Sequence, residues 1–227
     1  MEERLVKVPA GMVVLEGDLA IPTGAKGIVM FAHGSGSSRH SPRNRRVAAG
    51  LREGGLGTLL IDLLTLEEEE IDLQTAHLRF DIDLLASRLV GATDWLAQAG
   101  GTRSLKAGYF GASTGAAAAL VAAAERPAAV QAVVSRGGRP DLAGGDVLAR
   151  VQAPTLLIAG SLDTPVVHLN KQAFDMLHAE KRLEIVPGAT HLFEEAGTLD
   201  RVAALAREWF QLHLTGRTTM TARPGPE

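Results

Sequence analysis

The sequence has 227 residues, 46% hydrophobic and 22% charged, which suits one α/β domain with a sizeable core. A net charge of −3 with no basic stripe excludes a nucleic-acid partner, and the absence of cysteine excludes disulfides, a thiolate zinc site and a cysteine nucleophile. No apolar run approaches the roughly 18 residues of a membrane span, and Met1-Glu2-Glu3-Arg4 lacks a charged-then-apolar signal pattern. A cytoplasmic protein without a membrane partner, metal or cofactor is therefore expected.

In chain order, Leu5–Val8 and Met12–Leu19 read as an antiparallel hairpin at one sheet edge. Gly27–Ala32 is a short run apolar on both faces, the pattern of a buried parallel strand. Ser41 is a good N-cap with Pro42 at the first helical position, and Gly54-Gly55 stops that helix. Gly57–Leu63 is the next strand. Thr65–Leu78, with the acidic run Glu67–Glu70, reads as a solvated loop, or else as a rim element over a nearby site. Asp81–Ala99 places Leu85, Leu89, Ala92 and Leu96 on one helical stripe.

The second half repeats the alternation. Leu105–Phe110, Val130–Val134 and Pro154–Ala159 have strand character, and Leu183–Val186 is a weaker strand. Ala116–Ala124 is strongly helix-forming, and Val202, Leu205, Ala206, Trp209 and Phe210 form a last apolar stripe. Between Val134 and Pro154 there is room for one short helix, Asp146–Val151, and for no cap domain. The polar tail Thr215–Glu227 reads as a poorly packed extension of a single domain over residues 1–214. Strand–helix alternation predicts a three-layer α/β fold with a mostly parallel sheet and an antiparallel N-terminal edge.

The strongest chemical signal is Gly111-Ala112-Ser113-Thr114-Gly115, a G-x-S-x-G motif between a buried strand and a helix. A serine there sits on a sharp, strained turn that projects its hydroxyl above the sheet. The competing reading is a glycine-rich turn that binds phosphate at a helix N-terminus, but neither G-x-G-x-x-G nor a Walker lysine accompanies it. A serine hydroxyl needs a base, and the base needs orienting. Asp163 follows Pro154–Ala159 and His191 follows Leu183–Val186, which gives the order Ser, Asp, His along one sheet edge. Asp163 is also placed to cap a helix starting near Val166, Asp141 is the rival acid, and His191 also reads as a satisfied loop histidine. His77, His168, His178 and His213 fall in loops or helical patterns, and His40 comes too early to be the base.

The loop His33-Gly34-Ser35-Gly36-Ser37-Ser38 follows the strand Gly27–Ala32, and its small residues let a backbone N–H face a substrate oxygen. Ser35 is the expected first oxyanion donor and Thr114, the residue after the serine, the second. His33 is read as structural, holding the loop by hydrogen bonds. Arg136 and Arg139 read either as solvated loop arginines or as contacts for an anionic substrate group.

These motifs, HGSGSS, GASTG, GSLD and GATH, resemble the α/β-hydrolase superfamily and, within it, small lid-less members akin to dienelactone hydrolases. The resemblance covers roughly residues 5–213 and extends to domains found beside a phosphoribosyltransferase domain in longer proteins, of which no second domain is visible here. Dienelactone hydrolases proper use a cysteine nucleophile where this chain has Ser113, so the resemblance implies an esterase acting on small-molecule esters of short or medium acyl length. The rivals are acyl transfer or peptide hydrolysis by the same residues, a non-catalytic binding protein of this fold, and phosphate or nucleotide binding at Gly34–Gly36. The sequence gives no reading of oligomeric state.

Overall fold

Runs apolar on both faces become strands, and striped runs become the helices that cover them. The computed structural model describes residues 3–216, and all structural counts are of those residues. The strands are β1 (Glu3–Ala10), β2 (Val13–Ala20), β3 (Gly27–Ala32), β4 (Gly57–Ile61), β5 (Lys106–Ala112), β6 (Val130–Arg136), β7 (Thr155–Gly160) and β8 (Lys181–Val186). The helices are α1 (Pro42–Glu53), α2 (Leu66–Thr75), α3 (Ile82–Gln98), α4 (Thr114–Glu125), α5 (Gly145–Arg150), α6 (Thr164–Met176) and α7 (Thr198–Phe210). One sheet holds all eight strands in the order β1-β2-β4-β3-β5-β6-β7-β8. The pairs β1–β2 and β2–β4 are antiparallel, and every other pair is parallel.

β3, β4 and β7 are buried along their whole lengths because helices cover both faces of the sheet. On one face Val47 and Leu51 of α1 and Val202, Leu205 and Phe210 of α7 meet Phe31, Phe110 and Ile158. On the other, Leu85 and Leu89 of α3, the alanines of α4, Leu148 of α5 and Ala173 of α6 meet Ile28, Tyr109, Val133 and Leu157. Helix α4 is buried from Thr114 to Ala123, as its run of small side chains allows. The expected cap of α1 forms, the Ser41 hydroxyl accepting from the Asn44 N–H, and Asp81 caps α3 through the Leu84 N–H.

One expectation is corrected. Most of Thr65–Leu78 is not a loop, because Leu66–Thr75 is helical. Thr65 and Glu68 form a reciprocal capping box, the Thr65 hydroxyl accepting from the Glu68 N–H at 3.2 Å and the Glu68 carboxylate from the Thr65 N–H at 2.9 Å. The helix is pinned through Glu68 to Arg88 at 2.6 Å and through Asp72 to Arg79 at 2.5 Å. Burial alone would raise the Asp72 carboxyl, but hydrogen bonds from the Arg79 backbone and side chain hold it below its ordinary value.

The connection between β6 and β7 carries a 3-10 turn, Pro140–Ala143, and the short helix α5, so no cap domain is inserted there. Among the described residues no helix is long and apolar enough to cross a membrane. The expected tail lies outside the described residues from position 217 onward. Because β3 and β5 to β8 are parallel, the loops after them converge on one edge of the sheet.

Candidate active site

Ser113 occupies the turn between β5 and α4 with φ 50° and ψ −121°, a conformation costly for a residue with a side chain. Two glycines make the turn possible. A Cβ on Gly115 would lie 2.3 Å from the carbonyl oxygen of Ala32, and one on Gly111 would lie 2.4 Å from the Cα of Ala116. The end of β6 latches the turn from both sides: Ser113 N–H donates to the Arg136 carbonyl at 3.3 Å, and Arg139 N–H donates to the Ser113 carbonyl at 3.1 Å.

Asp163 and His191, 28 positions apart, meet here: His191 Nδ1 lies 2.7 Å from Asp163 Oδ2. An ionised carboxylate only accepts, so Nδ1 carries the proton and Nε2 keeps its lone pair. Asp163 stands at the start of α6, but its side chain caps nothing there. The two loops are tied together by Leu162 N–H donating to the Ala189 carbonyl at 2.9 Å. The His191 loop is braced further by Glu195, which accepts from the Thr190 N–H at 3.1 Å and hydroxyl at 2.6 Å. Those bonds hold the Glu195 carboxyl below its ordinary value. Asp141, the rival acid, is bound instead by Arg139 at 2.7 Å.

Ser113 and His191 line one cleft of about 230 Å³ together with Gly34, Ser35, Asn44 and Arg136. Gly34 passes so close that a Cβ there would lie 3.0 Å from the Cβ of Ser113. The Ser35 N–H donates to the Thr114 hydroxyl at 3.0 Å, so the two expected oxyanion residues are in direct contact. The Thr114 N–H lies in the first turn of α4, where backbone donors lack intrahelical acceptors. His33 holds this loop: its Nε2 accepts from the Leu63 N–H at 3.1 Å, which leaves Nδ1 to donate to the Gly34 carbonyl at 3.0 Å. Burial lowers its proton affinity below the ordinary histidine value.

The family model described as the dienelactone hydrolase family matches residues 15–214. The chain belongs to the dienelactone hydrolase family. The assignment carries the coarse activity, that of a hydrolase. A dienelactone hydrolase from Anabaena variabilis is 66% identical, with a TM-score of 0.92 over 94% of this chain and 98% of that one. Est1E from Butyrivibrio proteoclasticus shares the fold at 15% identity, with a TM-score of 0.76 over 92% of this chain and 97% of its own. A Mycobacterium tuberculosis protein provisionally named a phosphoribosyl transferase is 56% identical over 226 residues, all of this chain but 48% of that protein. The chain thus spans about half the length of the curated relatives it matches.

Within this member of the dienelactone hydrolase family, Arg136 sits differently from the loop position expected of it, and the cleft takes in Asn44 and Arg43, which sequence reasoning did not place at the site. Arg136 is not a loop residue: it ends β6 and is only 5% exposed. Its Nη2 points to Asn44 Oδ1 at 3.4 Å and its guanidinium stands 5.8 Å from the Phe193 ring centre. Arg43 lines the same cleft and pairs with Glu194 at 3.0 Å on the exposed rim. The signal for Asn44 and Arg43 was their position in the first turn of the helix that Ser41 caps, a turn aimed at the strand ends. His40, His77, His168 and His178 are not among the residues lining the cleft. His213 stacks edge-on against Trp209 and lies 3.7 Å from Glu180.

Proposed function

We propose that the chain is a serine hydrolase that cleaves short- to medium-chain carboxylic esters through an acyl-enzyme on Ser113. The observation that carries this reading is the Asp163–His191 pair, 2.7 Å apart, whose histidine lines the same cleft as a serine held at positive φ. His191 Nε2 takes the Ser113 proton as Oγ attacks the ester carbonyl, and then delivers it to the leaving alcohol. Asp163 fixes the tautomer and stabilises the imidazolium that forms. Water, activated by the same histidine, hydrolyses the acyl-serine and restores Ser113.

The oxyanion receives the N–H groups of Ser35 and Thr114. In the free protein the Thr114 hydroxyl holds the Ser35 N–H in place. It yields that donor to the substrate oxygen, and loss of one such donor costs about 3–4 kcal/mol in the transition state. The lid-less connection between β6 and β7 supports small esters over long-chain fats.

The test is a neutral fluorophosphonate read by intact mass and peptide mapping, with Ser113→Ala and His191→Ala run alongside. A single adduct on the peptide carrying Ser113, absent from both variants, is the expected result. A folded wild-type protein that takes no adduct overturns the reading and favours a binding protein of the same fold.

A further inference from the structure

The two ends of the sheet are finished differently. β1 carries Pro9, which offers no N–H to a further strand. β8 is the other end, and no strand among the described residues pairs with its outer side. It contains no proline, and its register with β7 runs unbroken from Lys181 to Val186. Thr155 N–H donates to the Glu180 carbonyl at 2.8 Å, and Ser161 N–H donates to the Val186 carbonyl at 3.0 Å. Even-numbered residues therefore turn their backbone groups toward β7, and Lys181, Leu183 and Ile185 turn theirs outward. Such a row of open N–H and C=O groups is a template for another strand.

Side-chain charge decides which strand fits there. Arg182 and Glu184 share the face covered by α7: Arg182 Nε donates to Glu184 at 2.6 Å, and the guanidinium lies 3.9 Å from Glu208. Lys181 lies on the opposite face, where its Nζ donates to the Phe174 and Leu177 carbonyls at the end of α6, at 2.6 and 2.7 Å. Opposite charges two residues apart on one face make the strand complementary to an antiparallel copy of itself. With a two-fold axis through Leu183, the outward groups of the two Leu183 residues meet and Lys181 meets Ile185. Arg182 then faces Glu184 of the other copy twice over, in the close pairs where Cα atoms stand about 4.5 Å apart. An axis through Arg182 or Glu184 opposes like charges instead. An axis through Ile185 sets Leu183 against Pro187, which has no N–H to give.

We propose that β8 is a dimerisation edge whose occupant is a second copy of this chain, joined antiparallel about Leu183. The two sheets then run on as one, with α7 beside its copy on one face and α6 beside its copy on the other. Antiparallel joining sends the strand ends that carry Ser113, Asp163 and His191 in opposite directions, so both clefts stay open. The interface needs no catalysis, and it stands whether or not Ser113 is a nucleophile.

Sedimentation velocity and native mass spectrometry should show the wild-type protein passing from monomer to dimer in the micromolar range. Arg182→Glu sets acids against acids across the axis, and Glu184→Arg sets bases against bases. Each should weaken the dimer about tenfold or more, and a thermal melt checks that each variant is folded. Mixing the two variants should restore a dimer with one chain of each, because every charge then meets its opposite. The double variant carrying both exchanges should dimerise like wild type. A wild-type protein that stays monomeric through that range overturns the proposal. Single variants that dimerise as well as wild type, or a mixture that forms no mixed dimer, overturn it equally.

Discussion

Two arginines lie under the same rim of the sheet and are treated in opposite ways. Arg39, after β3, is surrounded by acids: it pairs with Asp62, with Glu16 at 2.7 Å and with Asp18 at 3.6 Å. Burial would push its guanidinium down, but Asp62, Glu16 and Asp18 hold it above the ordinary value. Arg136, the last residue of β6, is more deeply enclosed and has no acid paired to it among the described residues, and burial takes it the other way. The two sides of the rim thus separate two uses of a buried charge. On the β2–β4 side the fold closes the charge on itself, and it acts as structure. On the β6 side the charge is enclosed with no acid paired to it among the described residues. The Asp163–His191 pair is closed within the protein, but one of its nitrogens is left to work outward.

Breaking a closed pair should be expensive, and the proposed catalytic one most of all. Asp163→Asn should keep the fold yet lower kcat by about 10⁴-fold, since the imidazole is then held in the wrong tautomer; ester kinetics beside a thermal melt will check this. Arg39→Met, which leaves Glu16 and Asp62 facing no cation, should cost about 3–5 kcal/mol and lower Tm by about 10 °C in calorimetry. Arg136→Met should have the opposite sign. Its folded value, about 10, lies below the ordinary guanidinium value, so the charged side chain lowers stability at neutral pH, and that penalty fades as pH rises through 10. Removing it should raise Tm by a few degrees, a gain of about 1–3 kcal/mol. A fall in Tm would erase the contrast between the two arginines.

The smallest effect concerns His33, closed like Arg39 but neutral. Burial holds its folded value below 6.5, so as pH falls below 6.5 the unfolded chain binds a proton that the native state resists. The stability from His33 is fully present above 6.5 and erodes beneath it. Wild-type stability should fall by about 1 kcal/mol more between pH 7 and 5 than that of His33→Asn, as followed by urea denaturation at the two pH values.

Which of these features can be read without the structure follows from how local their causes are. Strands such as Gly27–Ala32 are legible to the residue because burial on both faces forces a continuous apolar run. Ser113, Asp163 and His191 are legible as an ordered set because parallel strands deliver all three to one edge, where Asp163 and His191 stand 2.7 Å apart. Helix α2 hid because Leu66, Ile71 and Leu73 face solvent, so no apolar stripe marks it. Its support comes from Arg79 and Arg88, distant in sequence, although the Thr65-x-x-Glu68 capping box was there to be read. For Arg136 the sequence left two readings open, a solvated loop arginine or a contact for an anionic group, because its enclosure depends on Asn44 and Phe193, neither of them a sequence neighbour.

The positive φ of Ser113 has a consequence for anyone who redesigns this protein. Glycine adopts that backbone conformation without the steric penalty, so by the criterion of folding alone Ser113→Gly is an improvement, by about 1 kcal/mol or more. An optimiser given only stability as its objective would therefore discard the hydroxyl proposed as the nucleophile among its first moves. Local discontent with the fold is thus a usable signature of selection for something other than folding.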